Sequence, residues 1–144
     1  MAPSANWEGK KWPQERFIQL IKKLINSDEF KNPKFLIFGS LNEIDDAKNI
    51  SINFPKDKLI NFSGSLKLNE IFLIFKYCDL FIGNDSGLMH LAAAAEIPTV
   101  GLFGPSDIIQ YHPWGKNTLA IRTPKSPDEL MNTNMNDTTI IELD

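Results

Sequence analysis

Apolar residues in this chain gather into short uninterrupted runs, and the stretches between them carry apolar residues at helical spacing. Lys34 to Phe38, Leu59 to Phe62, Asp79 to Gly83 and Pro98 to Phe103 predict buried strands, with Thr118 to Ile121 as a last short one. Phe17, Leu20, Ile21, Leu24 and Ile25 recur at helical spacing behind Trp12-Pro13, where proline suits the first helical position. Asn42 to Ile50 predicts a short helix, Asn69 to Tyr77 a helix carrying Ile71, Phe72, Ile74 and Phe75, and Leu88 to Ala95 a small-residue helix. Strands and helices therefore alternate, and the strand runs are continuous rather than every second residue. That pattern predicts an α/β protein with a doubly wound parallel sheet covered on both faces. Met1 to Lys11 reads as polar and irregular, Ser106 to Gly115 as an aromatic loop, and Arg122 to Asn136 as an extended surface segment. Asp137 is expected to cap a terminal helix through Ile140, Ile141 and Leu143.

Composition narrows the field. A length of 144 residues predicts one domain with a real core. A net charge of −3 gives no reason to expect a nucleic-acid partner. The longest apolar run, Leu91 to Phe103, is broken by Glu96 and Pro98, so no membrane span is expected. Met1 is followed at once by Pro3, Ser4 and Asn6, which does not read as a signal peptide. The single cysteine, Cys78, has no internal partner and sits in an apolar context, as a core residue of a reducing compartment would, so the cytoplasm is the expected location.

The chemistry concentrates in Asp79 to Pro105, DLFIGNDSGLMHLAAAAEIPTVGLFGP, a strand, cap, helix, strand unit. Ligands of parallel sheets sit at the carboxyl ends of strands beside helix N-termini, which is where Gly83 to Gly87 falls. The unpaired N–H groups of a first helical turn favour an anion. Ser86 adds a hydroxyl, and Gly87 permits close approach of a ligand to the backbone. Asp85 would repel a pyrophosphate, so it either caps the helix or faces sugar hydroxyls. The plainer alternative makes Asp85 only an N-cap and Gly87 only a packing glycine.

Three further sites carry similar pairs of readings. Lys10 and Lys11, just before the first helix, are either phosphate ligands or solvated lysines. Glu43, after the strand end Phe38-Gly39-Ser40, either accepts ribose hydroxyls or favours a helix dipole. Tyr111-His112-Pro113-Trp114 either touches a sugar or covers the sheet edge. His90 lies one helical turn after Ser86, but Gly83-Asn84-Asp85-Ser86-Gly87 is not a hydrolase elbow and no acid partner for His90 is evident. His90 and His112 lack cysteine or carboxylate partners at ligand spacing, so no metal is expected.

Asn84-Asp85-Ser86-Gly87-Leu88-Met89-His90-Leu91-Ala92-Ala93-Ala94, followed by Pro98 and by Leu102-Phe103-Gly104-Pro105-Ser106, resembles the C-terminal signature of the ADP-heptose:lipopolysaccharide heptosyltransferases, glycosyltransferase family 9. Lys10-Lys11-Trp12-Pro13 is similar to the family's Lys-x-Trp-Pro element, which implies that Lys10 meets the donor pyrophosphate. Pro3-Ser4-Ala5-Asn6 resembles its phosphate-facing loop, adding Asn6. The resemblance also implies that Glu43 binds the ribose, that Leu66 of Gly64-Ser65-Leu66 packs on the adenine, and that His90 steadies the loop by hydrogen bonding. Asp85, Ser86 and Gly87 complete the implied donor site.

The implied fold is the C-terminal, Rossmann-like half of a GT-B enzyme. Residues 1–144 would form a single donor domain, with the acceptor domain and its general base absent. The implied activity of the parent is inverting, metal-independent heptose transfer from ADP-heptose to lipopolysaccharide core, without a cofactor. It would take place at the cytoplasmic face of the inner membrane, with peripheral association. Two other readings stay open: a stand-alone nucleotide-binding or regulatory module, and a GT-B transferase that uses a UDP-sugar. Arg122 to Asn136 departs from the family pattern in lacking the cysteines many members carry there.

Overall fold

A computed structural model describes residues 1–125 and 128–129, so the helix expected from Asp137 lies outside the described residues. The strands are β1 (Phe35–Ile37), β2 (Leu59–Asn61), β3 (Phe81–Asn84), β4 (Thr99–Phe103) and β5 (Thr118–Arg122). The helices are α1 (Gln14–Ile25), α2 (Ile44–Ser51), α3 (Leu68–Phe75), α4 (Gly87–Ala94) and the short α5 (Ile108–Tyr111). β1 pairs in parallel with β2, and β3, β4 and β5 form a second parallel group.

The first two residues join the groups. The Phe38 N–H donates to the Met1 carbonyl at 2.9 Å, Ala2 N–H donates to Ile82 O at 3.2 Å, and Asn84 N–H donates to Ala2 O at 3.1 Å. Ala2 thus runs parallel to Gly83, and a Cβ on Gly83 would stand 2.8 Å from the Ala2 carbonyl, so glycine is what permits the seam. The sequence pattern predicts an irregular start here. Two residues are too few to display a strand period, and their pairing becomes visible only in three dimensions.

The lateral order is therefore β2, β1, Met1–Ala2, β3, β4, β5. Chain direction reverses its sideways progress between Met1–Ala2 and β3, and this is the switch point of a doubly wound sheet. Successive strand residues feed opposite faces. Ile37 and Leu102 join Phe17 and Ile21 of α1 and Ala47 and Ile50 of α2. Phe38 and Phe103 join Ile71 and Phe75 of α3 and Met89 and Ala92 of α4. The uniform strand hydrophobicity has this cause: each face of the sheet has its own helix pair. The two edge strands are the exceptions, with Ile60 of β2 45% exposed and Leu119 and Ile121 of β5 55% and 38%.

Local details shift some expected boundaries. Pro13 is the N-cap of α1 rather than its first residue, and its carbonyl accepts from Arg16 and Phe17 N–H at 3.0 and 3.3 Å. The aromatic loop contains α5, capped by Asp107, whose Oδ1 accepts the Ile109 N–H at 2.8 Å. Four residues are too few for a helical period to show. Cys78 is half-buried rather than a core residue, and burial pushes its thiol pKa up. Among the described residues no helix is long and apolar enough to cross a membrane.

Candidate functional site

A cleft of about 920 Å³ opens at the carboxyl ends of the strands, beside the switch point. That volume suits a nucleotide-sized ligand. Four segments build it: the loop and 3-10 turn after Ala2, the turn after β1, the approach to α3, and the start of α4. Asn6, Lys10, Glu43, Leu66, Asp85, Ser86, Gly87 and His90 all line it. A parallel sheet explains this convergence, since each of these residues follows or approaches the same strand ends.

Asn84 fixes the geometry. Its fully buried side chain donates from Nδ2 to the Pro3 carbonyl at 2.7 Å and accepts at Oδ1 from Trp12 N–H at 3.1 Å. The loop after Ala2 is thereby pinned at both ends to the last residue of β3. Sequence reasoning treats Asn84 as part of a turn. The available signal was an amide closing an otherwise apolar strand.

Asp85 does not cap α4. Ser86 occupies the N-cap position, with extended backbone and no side-chain cap hydrogen bond. The Asp85 N–H donates to Leu102 O at 3.0 Å, and its carboxylate accepts from Lys10 Nζ at 2.7 Å. The pair is asymmetric: the Asp85 side chain is 6% exposed and that of Lys10 29%. Lys10 Nζ also lies 5.7 Å from the Tyr111 ring centroid, so a third group holds the same ammonium. Lys11 is committed elsewhere, to Glu8 at 2.9 Å and Asp46 at 2.8 Å. Burial opposes its charge, but the hydrogen bonds to Asp46 and Glu8 outweigh that and hold its pKa above the ordinary lysine value. Of the two lysines, Lys10 faces the cleft.

Gly87 is exposed, and a Cβ there would meet nothing within 4 Å, so it has no packing role. It opens α4, whose first N–H groups have no intrahelical acceptor. Glu43 combines both of its readings. Its Oε2 accepts the Ser40 N–H at 2.6 Å, completing a capping box, while the residue still lines the cleft. Leu66, Phe38 and Ile71 supply an apolar wall. Asn6 is exposed on the rim. His90, expected to steady the loop, is instead exposed on the cleft side and forms no hydrogen bond with the described residues. Its position one turn into α4 turns the ring outward, away from the buried Met89 side.

Three cleft residues carry buried polar atoms without a partner among the described residues: Ser4 Oγ, Trp7 Nε1 and Ser86 Oγ. Buried groups of this kind are costly unless something satisfies them. Among the described residues no cluster of three or more His, Cys, Asp or Glu side chains is placed to hold a metal ion.

The strand order and a cleft at its switch point define a Rossmann-like α/β domain. The chain belongs to glycosyltransferase family 9 (heptosyltransferase), whose family model matches residues 1–138. It is 32% identical over 100 residues to lipopolysaccharide heptosyltransferase 2 of Salmonella typhimurium, covering 67% of this chain and 28% of that protein. It is 30% identical over 116 residues to lipooligosaccharide heptosyltransferase 2 of Campylobacter jejuni, covering 78% of this chain and 35% of that protein. Its fold matches the structure of the Escherichia coli ADP-heptose LPS heptosyltransferase II with a TM-score of 0.77 and 28% identity, over 99% of this chain and 44% of that one. It also matches the E. coli heptosyltransferase WaaC with ADP-2-deoxy-2-fluoro heptose, with a TM-score of 0.72 and 25% identity, over 94% of this chain and 39% of that one. The chain thus spans roughly a third of the length of these curated relatives, 28% and 35% for the two named. The fold is that of one half of a GT-B heptosyltransferase.

Proposed function

We propose that this chain is the donor-nucleotide half of an inverting, metal-independent glycosyltransferase that moves heptose from ADP-heptose to lipopolysaccharide core. The observation that carries the reading is that Lys10, paired with Asp85 just before α4, lines one cleft with the N-terminus of α4, Glu43 and the apolar Phe38, Leu66 and Ile71. A diphosphate placed at Lys10 and Gly87 would put the ribose toward the free oxygen of Glu43, and the base against Phe38, Leu66 and Ile71. Family membership and the ADP-sugar named in a structural relative support that choice of donor.

The chemistry these residues supply is charge stabilisation. As the bond between the anomeric carbon and the diphosphate breaks, negative charge grows on the departing oxygen. The Lys10 ammonium and the first N–H groups of α4 line the cleft together, and a diphosphate bound there would have its growing charge met by both. The general base and the acceptor site belong to a domain outside these 144 residues, so this piece binds nucleotide as a single domain and turns over little. The parent enzyme works at the cytoplasmic face of the inner membrane, where a nucleotide-activated sugar and a lipid-linked acceptor can meet.

The test is titration of ADP, UDP and GDP into the chain, followed by amide NMR. The expected result is selective ADP binding with shifts at Lys10, Glu43, Ser86 and Gly87. Selective UDP binding at the same residues would keep the transferase and replace the donor. Binding that leaves those amides unmoved would sink the site, and heptose transfer by the 144 residues alone would refute the half-enzyme reading.

A further inference from the structure

We infer that Asp85 makes this cleft prefer a nucleoside diphosphate that carries a sugar over the bare nucleoside diphosphate. The inference rests on the donor-site reading above and goes further, assigning a discriminating role to a carboxylate that sits where an anion is meant to bind.

The Asp85 side chain is nearly buried, and its carboxylate accepts from Lys10 Nζ at 2.7 Å. Its backbone is held by the N–H bond to Leu102 O, and the neighbouring Asn84 is locked at both ends of its side chain. With its backbone held on both sides and its carboxylate paired with Lys10, the nearly buried side chain stays in the cleft wall. In the empty cleft it neutralises the ammonium that a diphosphate needs. With ligand bound it remains within a few ångströms of the phosphates.

Bare and sugar-linked diphosphates differ in two respects there. The bare compound ends in a phosphate monoester that carries close to one additional negative charge at neutral pH, since its second ionisation falls near pH 6. The sugar-linked compound is a diester with no such charge, and it brings hydroxyl donors in its place. A fixed carboxylate repels the first and accepts charge-assisted hydrogen bonds from the second. One side chain thus weakens the product and strengthens the donor.

The experiment is calorimetric titration of ADP and ADP-heptose into the wild-type chain, Asp85→Asn, Lys10→Gln and the double variant. Asp85→Asn keeps the shape of the side chain and removes its charge. It should bind ADP about tenfold more tightly, bind ADP-heptose severalfold more weakly, and so lose most of the preference for the sugar-linked ligand. Lys10→Gln leaves Asp85 uncompensated, so ADP should lose more affinity than ADP-heptose; the double variant should recover part of the ADP affinity. An Asp85→Asn chain that binds ADP no better, or keeps the wild-type ratio of the two affinities, overturns the inference while the donor site stands. If Asp85→Asn does not fold, Lys10→Gln decides: equal losses for both ligands, or a larger loss for ADP-heptose, overturn it. A wild-type chain that binds neither ligand, or a Lys10→Gln chain that binds ADP as well as wild type, sinks the donor-site reading and this inference together.

Discussion

The amide of Asn84 joins two backbone segments that no local rule would bring together, the Pro3 carbonyl and the Trp12 N–H. Replacing it with alanine removes both bonds, takes a donor from the buried Pro3 carbonyl and opens a small void. Asn84→Ala should therefore lower stability by about 1–3 kcal/mol, the usual cost of one orphaned buried group, and the urea midpoint would show it. Gly87 makes the opposite prediction. Nothing stands within 4 Å of a Cβ built there, and the residue lies in a helix, so Gly87→Ala should fold as well as wild type or gain roughly 0.5 kcal/mol from a stiffer unfolded chain. The methyl would nonetheless project toward the cleft, and ADP affinity should fall about tenfold. Unchanged ADP affinity in a well-folded Gly87→Ala chain would mean that the ligand does not approach α4.

Elements whose evidence is local were legible in the sequence. Five strands and four of the helices stand within a few residues of their expected places, because continuous apolar runs and helical spacing are read from neighbours along the chain. The Met1–Ala2 seam and α5 were not, since two and four residues carry no period. The cap of α4 was ambiguous for another reason: Asn84, Asp85 and Ser86 are all capping residue types, and only the fold shows that Asn84 ties loops, Asp85 meets Lys10, and Ser86 takes the cap position. The membership of the cleft follows from strand ends and was within reach of the sequence, whereas the Lys10–Asp85 pair spans 75 positions and was not. Packing between β4 and α4 gives an element-level test. A Cβ on Gly101 would stand 2.3 Å from Met89 Sδ and 2.8 Å from the Phe103 ring. Gly101→Ala should thus push α4 from the sheet and cost about 1–3 kcal/mol. ADP affinity should drop with it, because the start of α4 is one wall of the cleft; full affinity in a destabilised Gly101→Ala chain would separate the helix from the site.

At the scale of the whole molecule, the two halves of the sheet are held together at the Met1–Ala2 seam, and a titrating group lies inside it. In the chain of these 144 residues the Met1 amine donates to Leu36 O at 2.6 Å, and burial pushes its pKa down from 8.0 to about 5, with Cys78 pulling the other way. Between these two values the unfolded chain holds a proton that the folded chain has released. Stability must then rise with pH across the window from about 5 to 8, by at most about 1.4 kcal/mol per pH unit, and this contribution is complete above 8. As pH falls through the window, the ammonium becomes a charge that the seam must expel. Acetylation of Met1 removes the titration and keeps an N–H for Leu36, so urea unfolding of the acetylated chain should lack the rise; the exposed His90 and His112 are common to both forms and cancel. Because the Met1 and Ala2 carbonyls accept from the Phe38 and Asn84 amides, hydrogen-exchange protection of those two amides should follow the same slope. A slope that persists after acetylation would place the responsible group elsewhere. Protection at Phe38 and Asn84 that is flat with pH while global stability changes would show that charging the amine does not open the seam first.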